Sequence, residues 1–107
     1  MALIEILTEN PNRAVNTHVA KATRQIAATA LGGTVEVYTF VSETQGQTPI
    51  DYLLRVTAVP RPDHAAKHQD IINTLGEKFP GHTFSILPRF ITPEEESAMV
   101  ATPRLES

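Results

Sequence analysis

Near its beginning the chain carries ALIEIL, residues 2–7, a short and almost continuous run of apolar side chains. Such a run, rich in β-branched residues, is typical of a strand that is covered on much of both faces. Asn10-Pro11 follows, where Asn10 can cap a helix and Pro11 can take the first helical position, because that position needs no backbone N–H. We therefore expect a buried strand and then a helix.

Two alternating segments follow this helix, which Gly32-Gly33 is expected to end. In residues 34–41 and again in residues 50–59, side chains alternate between two faces, with many β-branched and aromatic types. A polar loop, residues 42–49, connects the two segments. We interpret them as a β-hairpin with a long loop.

The second half of the chain again shows a helix followed by a strand. The helix is expected to begin at Asp63 and to end at Pro80-Gly81. Residues 83–91 form a fourth predicted strand, and Pro88 marks it as an edge strand, because proline cannot donate to a sheet hydrogen bond. Residues 92–107 are expected to form a short acidic helix and a tail.

This order of elements predicts an α+β protein of the ferredoxin-like type, a βαββαβ two-layer sandwich. We expect an antiparallel sheet with strand order 4-1-3-2, in which the first and third strands are central. Residues 1–91 would form a single domain, and residues 92–107 a C-terminal helical extension. Over about residues 2–91 the topology resembles the small dimeric α+β-barrel proteins, which include the antibiotic-biosynthesis monooxygenase-like families. This resemblance assigns no catalytic residue.

Composition excludes several classes of function. With 107 residues, 41% hydrophobic and 20% charged, the chain is typical of one soluble globular domain. A net charge of -3 argues against nucleic-acid binding through phosphate neutralisation, and the lack of cysteine eliminates thiolate and Cys-type metal chemistry. Residues 1–7 lack the basic residues of a secretory signal, and no stretch is long enough for a membrane span. We expect a cytoplasmic protein without a cofactor.

Alternation divides the predicted strands between two faces of the sheet. The helices are expected to cover a largely apolar set: Ile4, Ile6, Val35, Val37, Tyr52, Leu54, Val56, Phe84 and Ile86. The opposite face, here called the second sheet face, carries Leu3, Glu5, Leu7, Glu36, Tyr38, Phe40, Leu53, Arg55, Val59, Leu87, Arg89 and Ile91. Because this set is too apolar for a solvated face, we expect a homo-oligomer, a dimer, that associates through it.

The charged residues of the second sheet face are the candidate site. In the order 4-1-3-2 they form an alternating row of Arg89, Glu5, Arg55 and Glu36. They are solvated ion pairs, charges at an interface between copies, or, with Tyr38, a pocket for a small anionic ligand built on Glu5, Tyr38, Arg55 and Arg89. Since Arg55 lies on a central strand among apolar neighbours, it should pair with Glu5 or Glu36.

Two histidines on the second helix have the spacing of a metal-binding pair. His64 and His68 are four residues apart, so their rings share one face of the helix. A site would need a third ligand, from Asp63, Asp70, His18 or His82, and no spacing selects one. A hydrogen-bonded core or interface histidine is the more common role, and we predict no metal site.

Two functions remain open. The first is a non-catalytic module that self-associates through the second sheet face and binds a small ligand or a protein partner. The alternative is a cofactor-independent enzyme of the monooxygenase or isomerase kind. It would have a pocket between sheet and helices, with His64, His68, Tyr52 or Arg55 as acid–base or anchoring groups.

Overall fold

The computed structural model describes residues 1–42 and 50–100, with only the backbone described for Met99 and Val100. Residues 43–49 of the predicted loop and the predicted tail after residue 100 lie outside this range. The described elements, in chain order, are β1 (Ala2–Thr8), α1 (Arg13–Leu31), β2 (Val35–Val41), β3 (Tyr52–Ala58), α2 (His64–Lys78), β4 (Phe84–Phe90) and α3 (Pro93–Val100). None of these helices is both long and apolar enough to cross a membrane.

The described strands form one mixed sheet with the order β2-β1-β3-β4. β1 runs parallel to β2, and β3 runs parallel to β4. The two central strands, β1 and β3, pair in antiparallel fashion. The protein therefore consists of two β-α-β halves, each with a helical crossover, that are joined through the β1–β3 pair.

The prediction of a ferredoxin-like antiparallel sheet with order 4-1-3-2 is wrong, although the α+β class and the central position of β1 and β3 are confirmed. β2 and β3 are not neighbours, so they form no hairpin. α1 has 19 residues, long enough for a crossover that returns β2 directly beside β1. The resemblance to the dimeric α+β-barrel proteins assumed the other order and does not hold. The division at residue 91 stays a prediction.

One face of the sheet packs against α1 and α2 and forms the core. The core side chains with at most 1% exposure include Ile4, Ile6, Val19, Tyr52, Leu54, Val56, Ile71 and Leu75. Val37, Phe84 and Ile86 are partly buried against them. Each fully buried aliphatic side chain stabilises the fold by about 1.5–3 kcal/mol. The predicted helix-covered face is therefore the core.

The beginning of α1 differs from the prediction by two residues. Asn12, not Asn10, is the N-cap, and its Oδ1 accepts a hydrogen bond of 3.1 Å from the backbone N–H of Val15. Pro11 therefore lies before the helix. The Oδ1 of Asn10 accepts from the backbone N–H of Asn12 at 3.0 Å, which fixes the turn before the helix. Gly32 ends the helix as expected, with a φ of 74°.

A polar cluster fastens the beginning of α1 to the beginning of β3. Tyr52 has no exposed surface, and its hydroxyl donates to Asn16 Oδ1 at 3.0 Å and accepts from Asn10 Nδ2 at 3.2 Å. Asn16 is 5% exposed, and its Nδ2 donates to the backbone oxygen of Asn10 at 2.8 Å. Since each buried polar group has a partner, the cluster joins the two halves of the chain without an orphaned donor.

The Tyr52→Phe variant tests this cluster. We expect it to lower the free energy of unfolding by about 1–3 kcal/mol, because the buried Asn16 carboxamide loses its partner. Denaturant unfolding measures the change. Tyr38→Phe is the matched control, because Tyr38 is 54% exposed on β2. Equal losses in the two variants would contradict a stabilising role for the cluster.

Candidate functional site

The strand registers divide the second sheet face into rows of side chains. The central row runs Tyr38, Glu5, Arg55, Leu87; one flanking row runs Phe40, Leu7, Leu53, Ser85; the other, here called the edge-charge row, runs Glu36, Leu3, Thr57, Arg89. Residues within a row are direct cross-strand neighbours, the unit of side-chain contact in a sheet. The rows therefore decide which charged groups meet.

Glu5 and Arg55 form an ion pair at the centre of this face. Arg55 Nη1 lies 3.6 Å from Glu5 Oε1, with side-chain exposures of 40% and 24%. This confirms that Arg55 has a carboxylate partner, and it selects Glu5 over Glu36. Because the guanidinium has five donors and is still partly exposed, it can bind a second carboxylate while it keeps Glu5.

The predicted alternating row of four charges does not exist. Glu36 and Arg89 lie in the edge-charge row, at opposite edges of the sheet, with Leu3 and Thr57 between them. The row was predicted from the order 4-1-3-2, and the true order changes which residues are neighbours. The structure therefore brings together Glu5, Tyr38 and Arg55 but not Arg89.

Large apolar side chains surround the ion pair. Tyr38, Phe40 and Leu87 are 54%, 51% and 49% exposed. Leu3, Leu7 and Leu53 are only partly buried. Polar groups set among apolar side chains are typical of surfaces that bind a ligand or another protein.

Thr57, in the edge-charge row, has a buried hydroxyl that lacks a partner. The residue is 1% exposed, and its Oγ1 has no hydrogen-bond partner among the described residues. A buried hydroxyl without a partner destabilises the fold by about 1–3 kcal/mol. Thr8 on β1 is a buried threonine whose hydroxyl has a partner, and it serves as a comparison. It is 4% exposed, and its Oγ1 donates to the backbone oxygen of Asp51 at 2.8 Å.

We expect Thr57→Val to raise the free energy of unfolding by about 1 kcal/mol, because valine keeps the shape and removes the orphaned hydroxyl. Thr8→Val should lower it by about 1–3 kcal/mol, because it removes a satisfied buried hydrogen bond. Both values come from denaturant unfolding. If both variants were destabilised alike, the Thr57 hydroxyl would have a partner in solution.

The two histidines of α2 lie away from this site, near the end of β4. The ring centroids of His64 and His68 are 5.7 Å apart, and His64 also contacts Phe90 edge to face at 4.6 Å. Burial, and secondarily the neighbouring His64, lower the pKa of His68 below its usual 6.5. No group of three possible metal ligands occurs in the described part of the chain.

The lowered pKa makes stability depend on pH. Because folded His68 resists protonation, the unfolded chain binds more protons once the pH falls below about 6.5, and the fold loses stability there. Thermal unfolding at pH 7.5 and 5.5 should show a smaller loss for His68→Gln than for the wild type. His18→Gln, an exposed site on α1, is the control. An unchanged pH dependence in His68→Gln would contradict this assignment.

The enzymatic alternative assumed a pocket between sheet and helices, and its residues do not converge. Tyr52 has no exposed surface and its hydroxyl is fully engaged in the polar cluster. Arg55 lies on the opposite face of the sheet, and His64 contacts Phe90, with His68 beside His64. These four residues cannot act together on one substrate.

A small cavity, lined mainly by apolar residues, lies at the beginning of β1, and the sequence analysis missed it. The amino nitrogen of Met1 lies 3.3 Å from Glu96 Oε2 on α3. A cavity of about 160 Å³ adjoins this pair, and Arg61, whose guanidinium donates to the backbone oxygen of Leu31, contributes to its wall. No local pattern connects residues so far apart in the chain. Only the three-dimensional structure could have identified it.

Comparison with solved structures defines the fold. Macrophage migration inhibitory factor (MIF) of Toxoplasma gondii matches with a TM-score of 0.59 and 14% identity over 87% of this chain and 92% of that chain. A fused 4-OT, described as a symmetric trimer, matches with a TM-score of 0.60 and 10% identity over 86% and 89%. The protein Pt0534, described as inactivated by 2-oxo-3-pentynoate, matches with a TM-score of 0.50 and 12% identity over 81% and 85%.

These likenesses establish a fold of the MIF and tautomerase type. No family model matches the sequence, and no curated protein matches it either. The prediction of a non-catalytic module is contradicted, because the solved structures that share the fold are MIF, 4-OT and related tautomerase-superfamily proteins. They favour the enzymatic alternative, although not the pocket it assumed.

Proposed function

We propose that the protein is a cofactor-independent enzyme of the tautomerase type, which moves a proton within a small carbonyl compound that bears a carboxylate. The observation that carries this proposal is the Glu5–Arg55 pair, 3.6 Å apart on the two central strands and open to solvent. It provides an acid–base group and an anion-binding group side by side. The acid–base group can move a proton next to a carbonyl, and the anion-binding group can hold a substrate that carries a carboxylate.

Arg55 is the anchoring group. Its guanidinium binds the substrate carboxylate through two parallel N–H donors, a geometry that lysine cannot provide. Tyr38 is the direct cross-strand neighbour of Glu5, and its phenol can donate a hydrogen bond to the carbonyl oxygen. Arg89, one row away on β4, adds positive charge that attracts anionic substrates.

Glu5 is the acid–base group. Its carboxylate takes a proton from the carbon next to the carbonyl, and the C–H electron pair becomes the carbon–carbon double bond of an enolate. The negative charge on the enolate oxygen is stabilised by Tyr38 and Arg55. Glu5 then returns the proton to that oxygen or to another carbon. Nothing is oxidised or reduced, so the reaction needs no cofactor.

A 2-oxo acid is the substrate class that fits these groups. It has a carboxylate for Arg55, and a carbonyl that acidifies the neighbouring C–H bond for Glu5. The structural neighbour inactivated by 2-oxo-3-pentynoate supports this choice, because that reagent is itself a 2-oxo acid. The acid is small enough to lie between Tyr38 and Leu87 on the central row.

We also propose that the enzyme is a homo-oligomer assembled through the exposed apolar residues of the second sheet face, in a way that leaves Glu5 and Arg55 accessible to substrate. The half-exposed Tyr38, Phe40 and Leu87 support association, and the related fused 4-OT is described as a symmetric trimer. The dimer expected from the sequence, the exclusion of nucleic-acid partners and the cytoplasmic location stay predictions.

Exchange of the C3 protons of 2-oxobutanoate in D₂O, followed by proton NMR, tests the proposed function. We expect the protein to accelerate exchange over buffer alone. Glu5→Gln should slow it by about 10²-fold or more, because the base is lost. Arg55→Met should raise KM, because the carboxylate anchor is lost, and should also lower kcat, because the enolate loses a stabilising charge. The control is Glu77→Gln, an exposed site on α2.

Two results would contradict the proposal. Exchange at the buffer rate with wild-type protein, both for 2-oxobutanoate and for a panel of larger 2-oxo acids, would exclude the activity. Full exchange activity in Glu5→Gln, together with a loss of activity in Glu96→Gln, would show that the reaction takes place in the cavity beside Met1 and not at Glu5. Circular dichroism of each variant separates lost chemistry from lost folding.

A further inference from the structure

A groove lies between α1 and α2, in the helix layer. Its volume of about 580 Å³ is within the range of small-molecule sites. The lining residues fall within residues 25–30 of α1 and 67–74 of α2, which at 1.5 Å per residue gives a length of about 8–10 Å. Since the helices cover the core face and Glu5 and Arg55 lie on the second sheet face, the groove is separate from the site described above.

Apolar groups form much of the wall of this groove. Ile26 and Ala30, one turn apart on α1, line it, and both are partly buried against the core. Thr29 and Thr74 line it as well, but each hydroxyl donates to the backbone oxygen four residues earlier in its helix, at 3.1 and 2.7 Å respectively. These hydroxyls already have partners, so they need none from a ligand.

Two opposite charges line the groove on α2. Lys67 is partly buried and Asp70 is exposed. Three residues apart in a helix, they are neighbours on one face, with about 5–6 Å between their Cβ atoms. Neither side chain forms an ion pair, with the other or with any residue in the ranges 1–42 and 50–100. Each charge is therefore available to a ligand.

These charges select a ligand that carries both signs. A carboxylate alone would be attracted by Lys67 but repelled by Asp70, and an amine alone would meet the reverse. A free amino acid has both groups on one carbon, so its carboxylate can reach the lysine while its ammonium group reaches the aspartate. Its side chain then lies over Ile26 and Ala30, where a bulky aliphatic group buries the most apolar surface.

We propose that the groove between α1 and α2 is a binding site for a free amino acid with a bulky aliphatic side chain. Lys67 binds its carboxylate, Asp70 binds its ammonium group, and the apolar wall of α1 holds its side chain. Because the ligand is small and the groove is open, we expect a Kd of about 1 mM. The site involves no group of the proposed reaction and does not rest on the proposed function.

Titration of the isotope-labelled protein with L-leucine, followed by NMR of the backbone amides, tests the site without any measurement of activity. We expect leucine to shift the signals of residues 25–30 and 67–74 until they saturate. Three analogues each lack one feature: 4-methylpentanoate lacks the amine, 3-methylbutylamine lacks the carboxylate, and L-alanine lacks the bulky side chain. Each should bind about fivefold more weakly or worse.

Two variants assign the charges. Lys67→Met keeps the apolar stem but loses the charge, so it should weaken leucine binding by about fivefold or more. Asp70→Asn should remove the preference for leucine over 4-methylpentanoate, because the ammonium group loses its partner. Lys78→Met is the matched control, since Lys78 is exposed in the last turn of α2, outside the groove. It should leave the Kd unchanged.

Several results would overturn the site. These are shifts that do not saturate, shifts confined to residues outside the groove, and equal affinities for leucine and its three analogues. Unchanged leucine binding in both Lys67→Met and Asp70→Asn would also overturn it. If a variant fails to fold, the comparison of leucine with its analogues on the wild type still decides the proposal.

Discussion

The antiparallel pairing of β1 with β3 is the interaction on which the rest of the structure depends. It joins two β-α-β halves that share no other strand pairing in the described sheet, and its register sets Glu5 opposite Arg55. The same register turns Ile4, Ile6, Leu54 and Val56 toward the helices. A slip by one residue would exchange the two faces, burying the ion pair and exposing the core. The packing of the core therefore fixes the position of the site. The partly exposed ion pair need contribute little to the free energy of folding.

The sequence predicted the elements of the fold better than their arrangement. Hydrophobic periodicity located the strands, and the apolar character of β1 and β3 identified them as central. Periodicity cannot decide whether β2 lies beside β1 or beside β3, because the same side chains are buried in both sheet orders. That choice depends on how α1 crosses the sheet, which is a tertiary property. The error at the beginning of α1 is local: Asn10 and Asn12 are both good caps, and the buried Tyr52 engages the first of them.

The candidate site was also predictable only in part: the face that carries each residue could be predicted, but the neighbours across the strands could not. Alternation placed Glu5, Tyr38 and Arg55 on one face, and the need to pair a guanidinium on a central strand limited its partner to Glu5 or Glu36. Only the strand register selects Glu5. Glu36 and Arg89 were misplaced because their neighbours depend on strand order. The contact of Met1 with Glu96 could not be inferred, since it joins the two ends of the described chain. Its Glu96 belongs to an acidic first turn of α3, which the helix dipole and the capping box between Thr92 and Glu95 explain without a partner elsewhere in the chain.

The fold is shared with MIF and 4-OT proteins, yet the function rests on which groups of this chain meet a substrate. A crystal structure with 2-oxobutanoate bound would directly test whether Glu5 and Arg55 are the groups that contact the substrate. We expect the ligand on the second sheet face, with its carboxylate within hydrogen-bond distance of Arg55 and its C3 carbon beside the Glu5 carboxylate. A ligand bound instead in the cavity beside Met1 and Glu96 would contradict this expectation.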